Sequence, residues 1–140
     1  MKGMKKIMIR THFLSNGDIE LSKNFNLSEF QSKDGADEIL LDDDLVSILQ
    51  RVRDNFEKPV HVTSAYRSPE HNRNVGGEYN SKHTKGLAAD FYIEGIDPLE
   101  IAQYLESIGV QGIGWYPKDG FVHVDTRDQK SYWKESAQEY

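Results

Sequence analysis

With 140 residues, 37% of them hydrophobic, the chain has the length of one domain with a buried core; residues 1–140 are expected to form a single unit, with about 1–24 as an N-terminal extension. The net charge of −6, from 17 basic against 23 acidic residues, comes without a Lys/Arg run long enough to neutralise a phosphate backbone, which argues against nucleic acid as a partner. No cysteine is present, so disulfides, thiolate zinc sites and thiol nucleophiles are excluded, and any metal has to be held by His and carboxylate.

The start, "MKGMKKIMIR", is basic, but its apolar run is too short for a signal-peptide core, and Arg10, His12, Asp18 and Glu20 interrupt it. No stretch reaches the ~20 apolar residues of a membrane span. The expectation is a soluble monomer, cytoplasmic at synthesis and reaching any extracellular target only after release. Next, "KKIMIRTHFLS" and "DIELS" flank a Ser-Asn-Gly-Asp turn and predict a hairpin. "NLSEFQSKDG" reads as irregular with one helical turn. The acidic "DGADEILLDDD" reads as a solvated loop and a helix N-terminus, where carboxylates favour the positive end of the dipole.

From Asp42 to Phe56 the apolar residues Leu45, Ile48, Leu49, Val52 and Phe56 recur at helical spacing. "KPVHVTSAYRS" predicts a strand with Val60, Val62 and Ser64 on one face. Ser68-Pro69 opens a short helix that Gly76-Gly77 stops, and a loop through "GEYNSKHTKG" leads to the strand "LAADFYI". Asp97-Pro98 opens another helix, with Leu99, Ile101, Ala102, Leu105 and Ile108 as its buried stripe and Gly109 as its stop. "GIGWY" and "FVHVDT" form a hairpin through "PKDG". The fold class that follows is α+β, helices packed on a small, mainly antiparallel sheet.

Alternation along "FVHVDT" sends Val122 and Val124 to the core and leaves Phe121, His123 and Asp125 on the other face. In "LAADFYI" the same rule groups Ala88, Asp90 and Tyr92, with His83 just upstream of Gly86. If the two strands are neighbours, His83, Asp90 and His123 converge, and two imidazoles with one carboxylate make a three-ligand zinc site that keeps a position open for water.

The stretch "SKHTKGLAAD" fits Ser-x-His-x-x-Gly-x-Ala-x-Asp; with "SAYRSPEHN" before it and "GWYPKDGFVHVD" after it, it resembles the M15 zinc peptidases, particularly their D-alanyl-D-alanine carboxypeptidase-like branch. The likeness runs from "NLSEF" to "HVDTR". It implies a fold of the hedgehog/D,D-peptidase kind, zinc held by His83, Asp90 and His123, and a peptidoglycan stem peptide as substrate. It further implies that Arg67 contacts the substrate near the scissile carbonyl or its carboxylate, and that Ser81 lines the substrate pocket. The family also includes bacteriophage endolysins, and a phage source would suit a chain lacking an export signal.

One departure concerns the proton acceptor. Where several members of the family carry a His two residues, or an acidic residue three residues, before the last ligand, this chain has Phe121 and Gly120. Asp125, on the face of His123, is ranked above Asp119 as catalytic base; its alternative role is to orient a ligand histidine. Phe121 also keeps open a different class of function, a zinc-containing module that binds peptidoglycan or a protein without cutting it. His12, His61 and His71 read as ordinary surface or core histidines, and Trp115, Tyr116 and Trp133 as packing at the core or the rim of a cleft.

Overall fold

Residues 8–135 are described by the structure, a computed structural model. In the N-terminal part, Ile9–Phe13 (β1) pairs antiparallel with Glu38–Asp42 (β4), and Glu20–Ser22 (β2) pairs with Phe25–Asn26 (β3). The expected hairpin of the first two segments therefore does not form; residues 5–7 of its first arm lie outside the described residues. The reason lies in "EILLD", read above as loop, where Ile39 and Leu41 are 0% and 1% exposed. These two inward side chains alternate with outward partners, a strand period that the flanking acids conceal. The helical turn expected in "NLSEF" is present as a 3-10 turn, Leu27–Phe30.

Asp42 ends β4 and caps the helix Asp43–Phe56 (α1), its side chain accepting from Asp44 N, while Asp43 and Asp44 occupy the first turn. Then come His61–Ser64 (β5) and the short helix Pro69–Asn74 (α2), capped by Ser68 Oγ on His71 N. Ala88–Tyr92 (β6) and Pro98–Ser107 (α3, capped by Asp97) follow, and Gly112–Tyr116 (β7), Phe121–Asp125 (β8) and Ser131–Lys134 (β9) complete the described elements. Leu99, assigned above to the buried stripe of α3, is 38% exposed, because at the second position of the helix it points off the flank.

Strands β5 to β9 form one sheet in the order β5-β6-β8-β7-β9, antiparallel throughout except for β7 with β9. One face carries Ala89, Phe91, Ile113, Val122 and Val124, all fully buried with Leu45, Leu49 and Val52 of α1 and Ile101, Ala102 and Leu105 of α3 in one hydrophobic cluster. The opposite face is free for polar chemistry. In β5 the register shifts between Val62, opposite Phe91, and Ser64, opposite Asp90. This bulge re-aims Ser64 from the face of Val62, where strict alternation would put it, into the row of Asp90.

Candidate metal centre

A single row crosses the polar face: Ser64, Asp90, His123, Gly114 and Trp133 are register partners on β5, β6, β8, β7 and β9. Asp90 and His123 are thus cross-strand neighbours by pairing alone. His83 arrives from outside the sheet, on the 3-10 turn Lys82–Lys85, whose first amides are served by Ser81: its Oγ accepts from His83 N at 3.1 Å. Gly86 ends the turn at φ +76°, and a Cβ there would lie 2.5 Å from the carbonyl of Leu40. Only glycine tolerates both conditions. The turn is seated from below by Asp42, whose N donates to Gly86 O at 2.9 Å, and from the side by Arg67, whose N donates to His83 O at 3.2 Å. Asp42 also accepts from Thr126 Oγ1 at 2.6 Å, both residues fully buried.

The histidines are oriented by their far nitrogens. His83 Nδ1 lies 2.7 Å from Ala65 O, and because a carbonyl only accepts, Nδ1 carries the hydrogen and Nε2 faces Asp90 Oδ1 at 3.4 Å. On His123 the order is reversed: Nε2 bonds Asp125 Oδ2 at 2.7 Å, and Nδ1 lies 2.9 Å from the same Asp90 oxygen. Donor atoms of a tetrahedral zinc ion at ~2.0–2.2 Å stand about 3.3–3.6 Å apart, and the two distances to Asp90 Oδ1, 3.4 and 2.9 Å, lie near that spacing. The three donor atoms all lie within 4.8 Å of one another. Two imidazole nitrogens and a carboxylate oxygen suit zinc by chemistry as well as spacing.

Burial opposes charge on each of these groups, and in each the partners win. Desolvation would raise the Asp90 carboxyl, but hydrogen bonds from His123 and His83 hold it well below the usual carboxylate range. Desolvation would lower His123, but Asp125 and Asp90 raise it to about 9. Asp125 is likewise held low against burial, by Arg127 and His123.

His83, Asp90 and His123 line a cleft of about 620 Å³, and so do Arg67 and Ser81. Asp125 does not line it. Its side chain is fully buried, with Oδ2 on His123 Nε2 and both oxygens taken by Arg127, Nε to Oδ1 at 2.8 Å and Nη2 to Oδ2 at 2.7 Å. The carboxylate of Asp125, ranked first as base, thus faces the back of His123 and not the open side of the cluster. Asp119 is exposed in the β7–β8 turn and is no part of the cleft lining. His61 stacks on Tyr92, its register partner across β5 and β6, with ring centroids 4.8 Å apart.

Sequence reasoning missed Arg127 and passed over two glycines. A Cβ on Gly112 would fall 1.9 Å from Asp125 Oδ1, and one on Gly114 would fall 2.4 Å from the ring of Trp133. Gly112 leaves space for the carboxylate that orients His123, and Gly114 lets the indole of Trp133 cross β7 to reach His123 at 5.3 Å between centroids. Alternate glycines on one strand face, "GIG", were the available signal. Trp133 Nε1 donates to Tyr116 Oη at 2.9 Å, and Tyr116 stacks on Phe121 at 4.4 Å, so one cleft wall is aromatic.

The peptidase M15 family model matches residues 20–125, three quarters of the chain and every residue of the cluster. The chain belongs to the M15 peptidase family. Among curated M15-like relatives, the peptidoglycan L,D-endopeptidase MepK of Escherichia coli K12 is 45% identical over 74 residues, which is 49% of this chain and 41% of that protein. The probable peptidoglycan L,D-endopeptidase MepK of Haemophilus influenzae is 36% identical over 80 residues, 54% of this chain and 42% of that protein. The matches thus span about two fifths of the relatives' length.

Proposed function

We propose that this M15 family member is a zinc metallopeptidase that hydrolyses peptide bonds in peptidoglycan stem peptides, with the cell wall as its place of action. The observation that carries the reading is the convergence of His83, Asp90 and His123 on the floor of a cleft that also presents Arg67. The relatives' names favour an internal L,D bond over a terminal one.

Zinc held by His83 Nε2, Asp90 Oδ1 and His123 Nδ1 would supply Lewis acidity for the scissile carbonyl and acidify the attacking water. The chain's own part is preorganisation. Ala65 O and Asp125 hold the outer hydrogens of the two imidazoles, so that His83 Nε2 and His123 Nδ1 keep their lone pairs directed inward. Arg67 takes the substrate's carboxylate or the oxygen that gains charge. Tyr116, Phe121 and Trp133 shield one side of the cleft from water.

The test is incubation of the zinc-loaded protein with purified muropeptides followed by mass spectrometry. Release of fragments cut within the stem supports endopeptidase action; loss of a single terminal residue would indicate a carboxypeptidase; intact stems under every condition would overturn the enzymatic reading. Phe121, an apolar side chain in the cleft lining two residues before His123, favours one competing reading, a zinc-containing module that binds without turnover, and binding with no product in this assay would establish it.

A further inference from the structure

Arg67 stands in the cleft with its charge uncompensated. Among the described residues its guanidinium meets only neutral acceptors, Nε donating to Ser64 Oγ at 3.3 Å and Nη1 to Asn72 Oδ1 at 3.2 Å, and no carboxylate pairs with it. Two of its five N–H donors are used, and three remain for a ligand, enough for a bidentate grip on a carboxylate.

Asn72 is the less obvious member of this pair. It sits on α2 with 3% of its surface exposed, and both polar atoms of its side chain have partners: Oδ1 accepts from Arg67, and Nδ2 donates to Glu78 O at 2.8 Å. Its backbone carbonyl accepts from Gly77 N at 2.9 Å. The Gly76–Glu78 segment is thereby laid over the Asn72–Arg67 contact, and a Cβ on Gly77 would fall 2.0 Å from Asn72 Oδ1 and 3.1 Å from Arg67 Nη1. Gly77 has no positive φ, so the demand on it is close approach and not backbone conformation.

Few side chains satisfy these constraints together. An aspartate would pair with Arg67 and cancel the charge meant for a substrate, and it would set a second acceptor against Glu78 O. A glutamine is too long for the space under Gly77. Resting on the peptidase reading above, we propose that Asn72 is a positioning residue that aims Arg67 at an anionic or carbonyl oxygen of the stem peptide while leaving its charge free, with the absence of a side chain at Gly77 as the condition.

A double-mutant cycle tests this, using Asn72→Asp, Asn72→Ser, Arg67→Ala and the combinations, each checked for zinc content and melting temperature. Asn72→Asp is expected to raise KM for a muropeptide roughly 10- to 100-fold, the value of a hydrogen bond to a charged group, with kcat less affected. Asn72→Ser, neutral but too short to reach Nη1, should also raise KM, by less than Asn72→Asp, because Arg67 keeps its charge and loses its aim. In the Arg67→Ala background Asn72→Asp should add nothing, whereas additive losses would overturn the proposal by showing that Asn72 does not act through Arg67. An independent readout is the Arg67 Nε–H resonance in NMR, which Asn72→Asp should shift and Asn72→Ser should broaden toward that of a free arginine. An unmoved resonance in both variants sinks the positioning role even if turnover is absent; shifted resonances in a protein that cuts no muropeptide would overturn the peptidase reading and support Asn72.

Discussion

His83, Asp90 and His123 hold the proposed metal with one atom each, so none can be spared. Alanine at any of the three should take bound zinc from equimolar to near zero by elemental analysis, because two protein donors do not compete with water. Asp125→Asn separates two roles for a fourth residue. An orienting carboxylate predicts a 10- to 100-fold weaker zinc affinity by competition with a chelator, since both Arg127 and His123 Nε2 lose their charged partner. A proton acceptor would keep its zinc and lose only turnover. The same contacts set the pH response of protein stripped of metal. Against the lowering effect of burial, Asp125 and Asp90 raise His123 from its ordinary 6.5 to about 9, so the stability this gives is complete below 6.5 and lost as pH rises through 9. Asp90 and Asp125, with depressed values, contribute in the opposite sense: fully above their ordinary 3.8, and progressively less as pH falls below it. Stripped protein should therefore melt highest between about pH 4 and 6.5, and a melting temperature that climbs from pH 6.5 to 9 would contradict this assignment.

At the scale of elements, two glycines carry the ligand geometry. Gly86→Ala forces a left-handed backbone onto an L-residue and a methyl into the main chain of Leu40, and is expected to destabilise by roughly 1–3 kcal/mol, read from denaturant unfolding, while weakening zinc binding through His83. Gly114→Ala should displace the Trp133 ring, visible as a change in tryptophan fluorescence, with a smaller loss of stability. Where an element's pattern is local, it was legible in the sequence: the stripe of α1, the alternation of β6 and β8, and the turn signals around both helix caps all place their elements as found. Once β6 and β8 are neighbours, as they are, the meeting of Asp90 and His123 follows from their alternation. Less local features escaped. Nothing in "EILLD" announces a partner 29 residues earlier, since strand pairing is a long-range choice made by the shared core. The bulge that moves Ser64 has no sequence signature, and Arg127, two residues past the recognised motif, gains its meaning only from the space over Gly112.

For the molecule as a whole, Asp90 and His123, two of the proposed metal donors, and the hydrophobic cluster lie on opposite faces of the same sheet. A chelator should therefore inactivate without unfolding: circular dichroism is expected to persist and the melting temperature to fall without the transition being lost, whereas collapse of the folded signal would make the ion structural. Asp42 connects the two faces in a further respect. It caps α1, holds the carbonyl of Gly86 beneath the His83 turn, and receives Thr126 from a point 84 residues along the chain. A contact closing so long a loop forms late, after local helices and hairpins have already appeared. Collapse alone would bring Asp90 and His123 together through their strands, yet leave the His83 turn unseated. Zinc capture during refolding is thus expected to lag behind the recovery of helical signal and to coincide with the slowest phase, making the ion a clock for the last step of folding.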